Sequence, residues 1–177
     1  MSDAQRVINL ADVPLKDNGN DRSFQARIGR IGPMLGLTGL GCTLTIVAPG
    51  KRAYPFHRHH VSSELFFILS GSGEVRLDGR VMPLRPGDLI ANPAGAEAHQ
   101  IVNTGRDELR YLAISEIGSV DIIDYPDSGK MGAAAGVKNG DLSTATYKAF
   151  GRVTPADYFD GEEPASQPAA RAGVGSR

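Results

Sequence analysis

The density of turn-forming residues between short apolar runs is the feature that most constrains the fold of this chain. Its 177 residues include 22 Gly and 11 Pro. Asp78-Gly79 separates two alternating runs and predicts a two-residue hairpin turn, and Pro86-Gly87 and Asn92-Pro93 predict further breaks. Many short runs joined by such turns predict an all-β sandwich or barrel.

The apolar runs predict eight strands, and the run at 120–124 allows one more. A turn is predicted at 17–20, a loop at 133–135, and a short helix at 154–157, where a cap residue is followed by Pro. The eight predicted strands are 24–28, 42–47, 64–70, 73–77, 80–84, 88–92, 99–103 and 108–114.

The change of pattern along the chain predicts one domain with extensions. An irregular lead-in covers 1–22, and the barrel covers 23–125. A C-terminal extension follows over 126–160. The last stretch, 161–177, is rich in Ala, Gly, Pro and Ser, a composition that predicts a disordered tail.

Charge, hydropathy and cysteine content limit the partners and the cellular location that the sequence predicts. The formal net charge is −1, so no basic excess offsets a phosphate backbone and nucleic acid is not expected as a partner. The first ten residues lack the apolar stretch of a signal peptide, and the most apolar region, 35–48, is too short to cross a membrane. Cys42 is the only cysteine, which excludes an internal disulfide. Together these features predict a cytoplasmic protein.

Three of the four histidines, with one glutamate, form a candidate metal centre. On a strand, positions i and i+2 face the same side, so His57 and His59 can enter one cavity while Arg58 points away. A bend can return Glu64 to that cavity, and His99 begins a later strand. Three imidazoles and a carboxylate suit one divalent first-row metal and leave one or two positions for water or substrate.

Two glycine-framed patterns surround these candidate ligands. The first runs Gly50, six residues, His57-Arg58-His59, four residues, Glu64, six residues, Gly71. The second runs Gly87, five residues, Pro93-Ala94-Gly95, three residues, His99, three residues, Asn103. In both patterns, and in their close spacing, the chain resembles the small bacterial single-domain members of the cupin superfamily. Each motif is one residue longer than the family pattern.

The resemblance implies a double-stranded β-helix, the cupin jelly-roll barrel, with irregular N- and C-terminal extensions. It also implies one divalent ion, Zn, Mn, Fe or Ni, held by His57, His59, Glu64 and His99. The expected function is metal-dependent chemistry on a small polar or anionic molecule, such as a carboxylate, a keto or hydroxy acid or a sugar derivative. The classes that the family supplies are dioxygenases, decarboxylases, isomerases, epimerases and lyases. The alternative is a non-catalytic barrel that binds a small molecule or sugar beside its metal. A homodimer is expected, because edge strands need cover.

Side chains near the ligands have open roles. His60 should face the opposite side of its strand from His59, in a surface or supporting role rather than as a ligand. Phe66 and Ile68 share parity with Glu64, so a cavity lining and an ordinary barrel core are both plausible.

Three basic residues lie beside the strand that carries His57. Lys51, Arg52 and Arg58 could attract an anionic substrate, although a solvated edge is the simpler interpretation. No second carboxylate or tyrosine has a forced place beside the metal, so the sequence names no general acid or base.

Overall fold

The computed structural model describes residues 6–20 and 22–162. It is built from thirteen short strands, one four-residue helix, α1 (Ile31–Met34), and two 3-10 turns, Leu10–Asp12 and Leu142–Thr144. No helix in this described part is long and apolar enough to cross a membrane. The strands are β1 (Lys16–Gly19), β2 (Gln25–Arg30), β3 (Leu40–Val47), β4 (Arg58–His59), β5 (Glu64–Ser70), β6 (Gly73–Leu77), β7 (Arg80–Leu84), β8 (Leu89–Asn92), β9 (His99–Val102), β10 (Leu109–Glu116), β11 (Val120–Tyr125), β12 (Lys130–Ala135) and β13 (Tyr147–Gly151).

The strands form antiparallel sheets whose order is that of a jelly roll. The largest has the order β1-β2-β3-β10-β5-β8, a second has β13-β12-β11-β4, and a third has β7-β6-β9. A bridge between His57 and His99 joins the last two sheets. β3 and β10 are neighbours in the sheet and pair over eight positions, although they lie far apart in the chain. This crossing of connections produces the double-stranded β-helix that was predicted.

The main core lies between the large sheet and the β7-β6-β9 sheet. Side chains alternate along each strand, so one face can be apolar while the other is exposed to solvent. In β6, every second residue is buried. The core contains Ile68, Leu109 and Tyr111 from the large sheet, all 1% exposed or less, and Val75 from the sheet opposite. Burial of this apolar area is the main stabilising contribution to the barrel.

Two motif residues serve the fold rather than a ligand. Gly71 has a φ of +83°, and a Cβ there would lie 2.3 Å from the carbonyl oxygen of Glu108, so no larger residue fits without a shift. Asn103 is fully buried, and its side-chain amide donates to the carbonyls of Val47 and Asp107 at 2.8 Å. These contacts hold the loops at the end of the barrel opposite the histidines.

The strand predictions between 24 and 125 are confirmed to within a few residues, although α1 and the two-residue β4 in that region are not among the predicted elements. The other errors fall outside it. The expected loop at 133–135 is wrong, because these alanines belong to β12, which pairs with β11 and β13. The expected turn at 17–20 is largely β1, which pairs with β2. Residues 154–157 do not form the expected helix. Most of the expected disordered tail lies outside the described residues.

Candidate metal centre

The folding of the two motifs brings the candidate ligands to one end of the barrel. His57 and His99 exchange backbone hydrogen bonds of 3.1 and 2.8 Å, so their imidazoles are neighbours, with ring centroids 4.5 Å apart. His59 lies in β4, and its carbonyl accepts from the backbone N–H of Gly95 at 2.8 Å. Glu64 is the first residue of β5. Each motif therefore contributes ligands and also holds the backbone of the other motif in place.

The imidazole nitrogens converge on one carboxylate oxygen. From Oε2 of Glu64, the Nε2 atoms of His99, His59 and His57 lie at 3.0, 3.6 and 4.0 Å. Ligand atoms of His57, Glu64 and His99 all lie within 4.8 Å of one another, which makes these three a compact group that could hold a metal ion. His59 stands slightly apart from that group, although it is close to Glu64.

The group is buried and its polar atoms are not satisfied by the protein. The side chain of His99 is 3% exposed and that of Glu64 is 16% exposed. Within the described residues, Oε2 of Glu64 and both ring nitrogens of His99 have no hydrogen-bond partner. Buried polar atoms without a partner cost free energy, so each needs an explanation. A bound cation would satisfy Oε2 of Glu64 and Nε2 of His99 together, and the donor set fits one.

The protonation states agree with this donor set. Burial, with the neighbouring His99, lowers the pKa of His57 to about 4, so its imidazole is neutral at neutral pH. Burial alone would raise the pKa of Glu64, but the surrounding imidazoles of His99, His59 and His57 lower it, so the carboxylate is ionised. Metal ligands must be neutral imidazoles and ionised carboxylates.

Hydrogen bonds orient two of the imidazoles. Nδ1 of His57 donates to the carbonyl of Pro55 at 2.8 Å, and Nδ1 of His59 donates to Oδ2 of Asp121 at 2.5 Å. A bond at Nδ1 leaves the lone pair of Nε2 free to face a ligand. Burial would lower the pKa of His59, but Asp121 and Glu64 raise it overall.

Asp121 is a site residue that sequence reasoning missed. It lies on β11, next to β4 in the sheet, 62 residues beyond His59. The alternation of the run at 120–124 shows that Asp121 shares a face with Ile123. Only the pairing of Ile123 with His59 shows that this is the inner face.

Arg58 and His60 face away from His59, as the sequence predicts. Arg58 donates to both carboxylate oxygens of Asp124 at 2.8 Å, and Nε2 of His60 lies 3.2 Å from Oδ1 of the same residue. Both basic side chains therefore point away from His59 and towards Asp124.

The structure also shows what the other residues with open roles contact. Phe66 and Ile68 are core residues, and Phe66 also contacts the ring of His99, with centroids 5.4 Å apart. Lys51 donates to the carbonyl of Arg22 at 2.5 Å, and the guanidinium of Arg52 lies over the ring of Phe24. Neither basic side chain lines a cavity beside the ligands.

A cavity of about 170 Å³ lies beside the ligands and is hereafter called the barrel-mouth cavity. It is bounded by the inner face of the β4-β11-β12-β13 sheet and by the end of β10. Its wall residues are His59, Ser62, Ser115, Glu116, Ile117, Gly118, Asp121, Ile123, Gly132, Ala133, Ala134, Val137, Gly140, Leu142 and Phe150. On the other side of the ligands, around His57 and His99, the space is only about 10 Å³.

Fold and site together define a jelly-roll barrel with a His/Glu centre at its mouth, and comparison with known proteins gives the family. The sequence profile of the cupin domain matches residues 43–115, which run from β3 to β10. A solved structure from Acidithiobacillus ferrooxidans, which carries the provisional name sugar phosphate isomerase, superposes with a TM-score of 0.70 at 25% identity. The match covers 85% of this chain and 97% of that protein. Residues 43–115 of the chain are therefore a cupin domain.

Two curated relatives show how widely the functions of similar proteins vary. The oxalate-binding protein of Thermotoga maritima is 36% identical over 66 residues, which are 37% of this chain and 54% of that protein. The 5-nitrosalicylic acid 1,2-dioxygenase of a Bradyrhizobium species is 33% identical over 79 residues, 44% of this chain and 37% of that enzyme. The chain thus spans about half the length of these relatives or less.

Proposed function

We propose that this cupin is a metal-dependent enzyme that acts on a small polar or anionic molecule. One divalent ion, Zn, Mn, Fe or Ni, is held by His57, His59, Glu64 and His99. The observation that carries the proposal is the buried, unpartnered Oε2 of Glu64, with three imidazole nitrogens at 3.0, 3.6 and 4.0 Å. The substrate class is a carboxylate, a keto or hydroxy acid or a sugar derivative.

The chemistry of the bound ion would be that of a Lewis acid polarising an oxygen of the substrate. The residues of the chain supply orientation and proton control around it. Asp121 fixes the tautomer of His59. The ring of Tyr54 lies 6.3 Å from that of His57. Partial burial and the nearby Glu64 raise the pKa of Tyr54 to about 12, so its phenol stays protonated and can donate a hydrogen bond to a bound oxygen.

One arginine supports the anionic part of the proposal. Arg30 lines a recess of about 220 Å³ together with Tyr54, Ser115 and Ile117. The last two residues also line the barrel-mouth cavity, so the two spaces adjoin. The Arg30 guanidinium donates to the carbonyl of Gly140 at 2.8 Å, which holds its charge at the mouth of the barrel. A carboxylate on the substrate would be attracted to this end.

Metal-dependent turnover tests the proposal. Keto acids, hydroxy acids and sugar phosphates should be screened by thermal shift with metal-loaded and metal-free protein, because a ligand that binds the folded state raises its melting temperature. Hits are expected only with metal. Each hit is then assayed for turnover in air and under argon, since oxygen dependence separates a dioxygenase from an isomerase, decarboxylase or lyase. Equal stabilisation of the metal-free protein would overturn metal-centred recognition.

The second candidate is a non-catalytic barrel that binds a small molecule beside its metal. The relative named as an oxalate-binding protein favours it. Metal-dependent stabilisation by a ligand, with no product detected in either atmosphere, would support this candidate over the enzyme.

We also propose that the protein acts as a homodimer in the cytoplasm, without nucleic acid as a partner. The dimer is supported by two edge strands, β1 and β13, in which every residue is exposed. Unpaired edges invite pairing with a second chain, and Tyr147 on β13 is 57% exposed. Light scattering at working concentration should therefore give twice the mass of one chain. The mass of a single chain would contradict the dimer.

A further inference from the structure

The walls of the barrel-mouth cavity differ sharply between its two ends. The end near the ligands is polar, with His59, Asp121 and Ser115. Ser115 also pairs with Glu64 between β10 and β5, so this end adjoins the metal centre. Ile123 and Ala134 lie across from His59 and Asp121. The far end is apolar, and its side chains are Ile117, Val137, Leu142 and Phe150.

A glycine shapes the apolar end. A Cβ at Gly132 would lie 2.7 and 2.9 Å from two ring carbons of Phe150, which is closer than real Cβ atoms approach. The absence of a side chain at Gly132 therefore lets the Phe150 ring lie against β12. Phe150 pairs with Gly132 across β12 and β13, so the ring covers its own partner position and forms one wall of the cavity.

The apolar end is formed by residues outside the segment that matches the cupin profile. The cupin profile ends at residue 115, whereas Ile117, Val137, Leu142 and Phe150 all follow it. No Lys or Arg is among the described residues that line the cavity. Its acidic groups are already engaged, because Asp121 accepts from His59 and Glu116 accepts from the backbone N–H of Ser63 at 2.8 Å.

From these walls we infer that the substrate has a ring-sized apolar body, which occupies the barrel-mouth cavity while its acidic head lies at the metal centre. The volume of about 170 Å³ is close to the roughly 150 Å³ of an apolar cavity that binds benzene. The space of about 10 Å³ around His57 and His99 has room for little more than one water, so the body of a ligand does not fit there but fits on the His59 side. This inference rests on the proposed function for the position of the head.

Two acids with the same head and different bodies test the inference. Mandelate and lactate are both 2-hydroxy acids, but mandelate has a phenyl ring where lactate has a methyl group. Calorimetric titration of the zinc-loaded protein should show mandelate binding at least about tenfold tighter than lactate, because the ring is buried in the apolar end. In Val137→Phe, which extends a ring into the apolar end from a position that bonds to Ser119 rather than to a residue of the metal centre, mandelate affinity should fall to that of lactate while lactate affinity and zinc content stay unchanged.

A second variant covers the case in which Val137→Phe does not fold. Phe150 is 56% exposed, so Phe150→Ala removes one wall at little cost to the fold, and it should weaken mandelate severalfold without affecting lactate. Ala149→Leu, on the same strand and outside the cavity wall, is the matched control and should leave both affinities unchanged.

The outcomes separate this inference from the proposed function. Equal affinities for the two acids, both dependent on zinc, would overturn the ring-sized body and leave the metal-dependent site standing. A preference for mandelate that persists unchanged without zinc would support the apolar cavity and overturn the metal-centred head. If neither acid binds, the ring-bodied acid is overturned, whereas the metal-dependent function is decided by the wider thermal-shift screen described above.

Discussion

His99→Ala protein is expected to purify with at least about tenfold less metal per chain than the wild-type protein, which should hold close to one ion. His99 is the most buried of the candidate ligands, at 3% exposed, and its Nε2 lies 3.0 Å from Oε2 of Glu64. Removing it deletes one metal donor, and even changes to groups that only support a ligand lower metal affinity about 10–100-fold. Elemental analysis of purified protein measures the effect.

The controls for this experiment lie within the same motif. His60 is adjacent to His59 but pairs with Asp124 on the outer face, so His60→Ala should retain the metal content of the wild type. Glu64→Gln keeps the shape of the side chain while removing its charge. This variant should bind the metal more weakly but still retain part of it. Full occupancy in the His99→Ala protein would refute the ligand assignment.

The parts of the fold that the sequence predicts are those with a local signal. Strands β5 to β10 combine alternating apolar residues with turn dipeptides such as Asp78-Gly79, and both signals are readable within a few residues. β12 has no such signal, because the sequence of Lys130–Ala135 holds three alanines, a glycine and no β-branched residue. Its extended conformation comes from pairing with β11 and β13, which are partners that a single window of sequence cannot reveal.

The candidate site likewise contains residues with a local sequence signal and residues without one. The spacing of the two motifs that contain His57, His59, Glu64 and His99 is visible in the sequence. The structure brings the three imidazoles close to one carboxylate oxygen of Glu64. Asp121 belongs to no motif, and its role depends on the register between β11 and β4. The barrel-mouth cavity is likewise formed by residues from β4 and from β10 to β13, so its volume and apolar end follow only from the assembled sheets.

Asp121→Ala is expected to lower the affinity for metal by about 10–100-fold, the range found when the carboxylate behind a ligating histidine is removed. The Nδ1 atom of His59 lies 2.5 Å from Oδ2 of Asp121, and this bond both selects the tautomer and orients Nε2 towards Glu64. Without it the imidazole can rotate or take its proton at Nε2, where the lone pair is needed. Competition with a chromophoric chelator measures the affinity.

Two further measurements separate positioning by Asp121 from a general loss of stability. Asp124→Ala lies on the same strand, but Asp124 binds Arg58 and His60 on the outer face, so metal affinity should be unchanged. In metal-free Asp121→Ala protein, NMR titration should show a lower pKa for His59. Burial lowers that pKa, and the hydrogen bond that opposes it is gone. Because a lower pKa means less competition from protons, the loss of affinity in this variant must come from orientation and tautomer. It should therefore persist at a pH well above the pKa of His59, whereas wild-type affinity at that pH would show that Asp121 does not position the ligand.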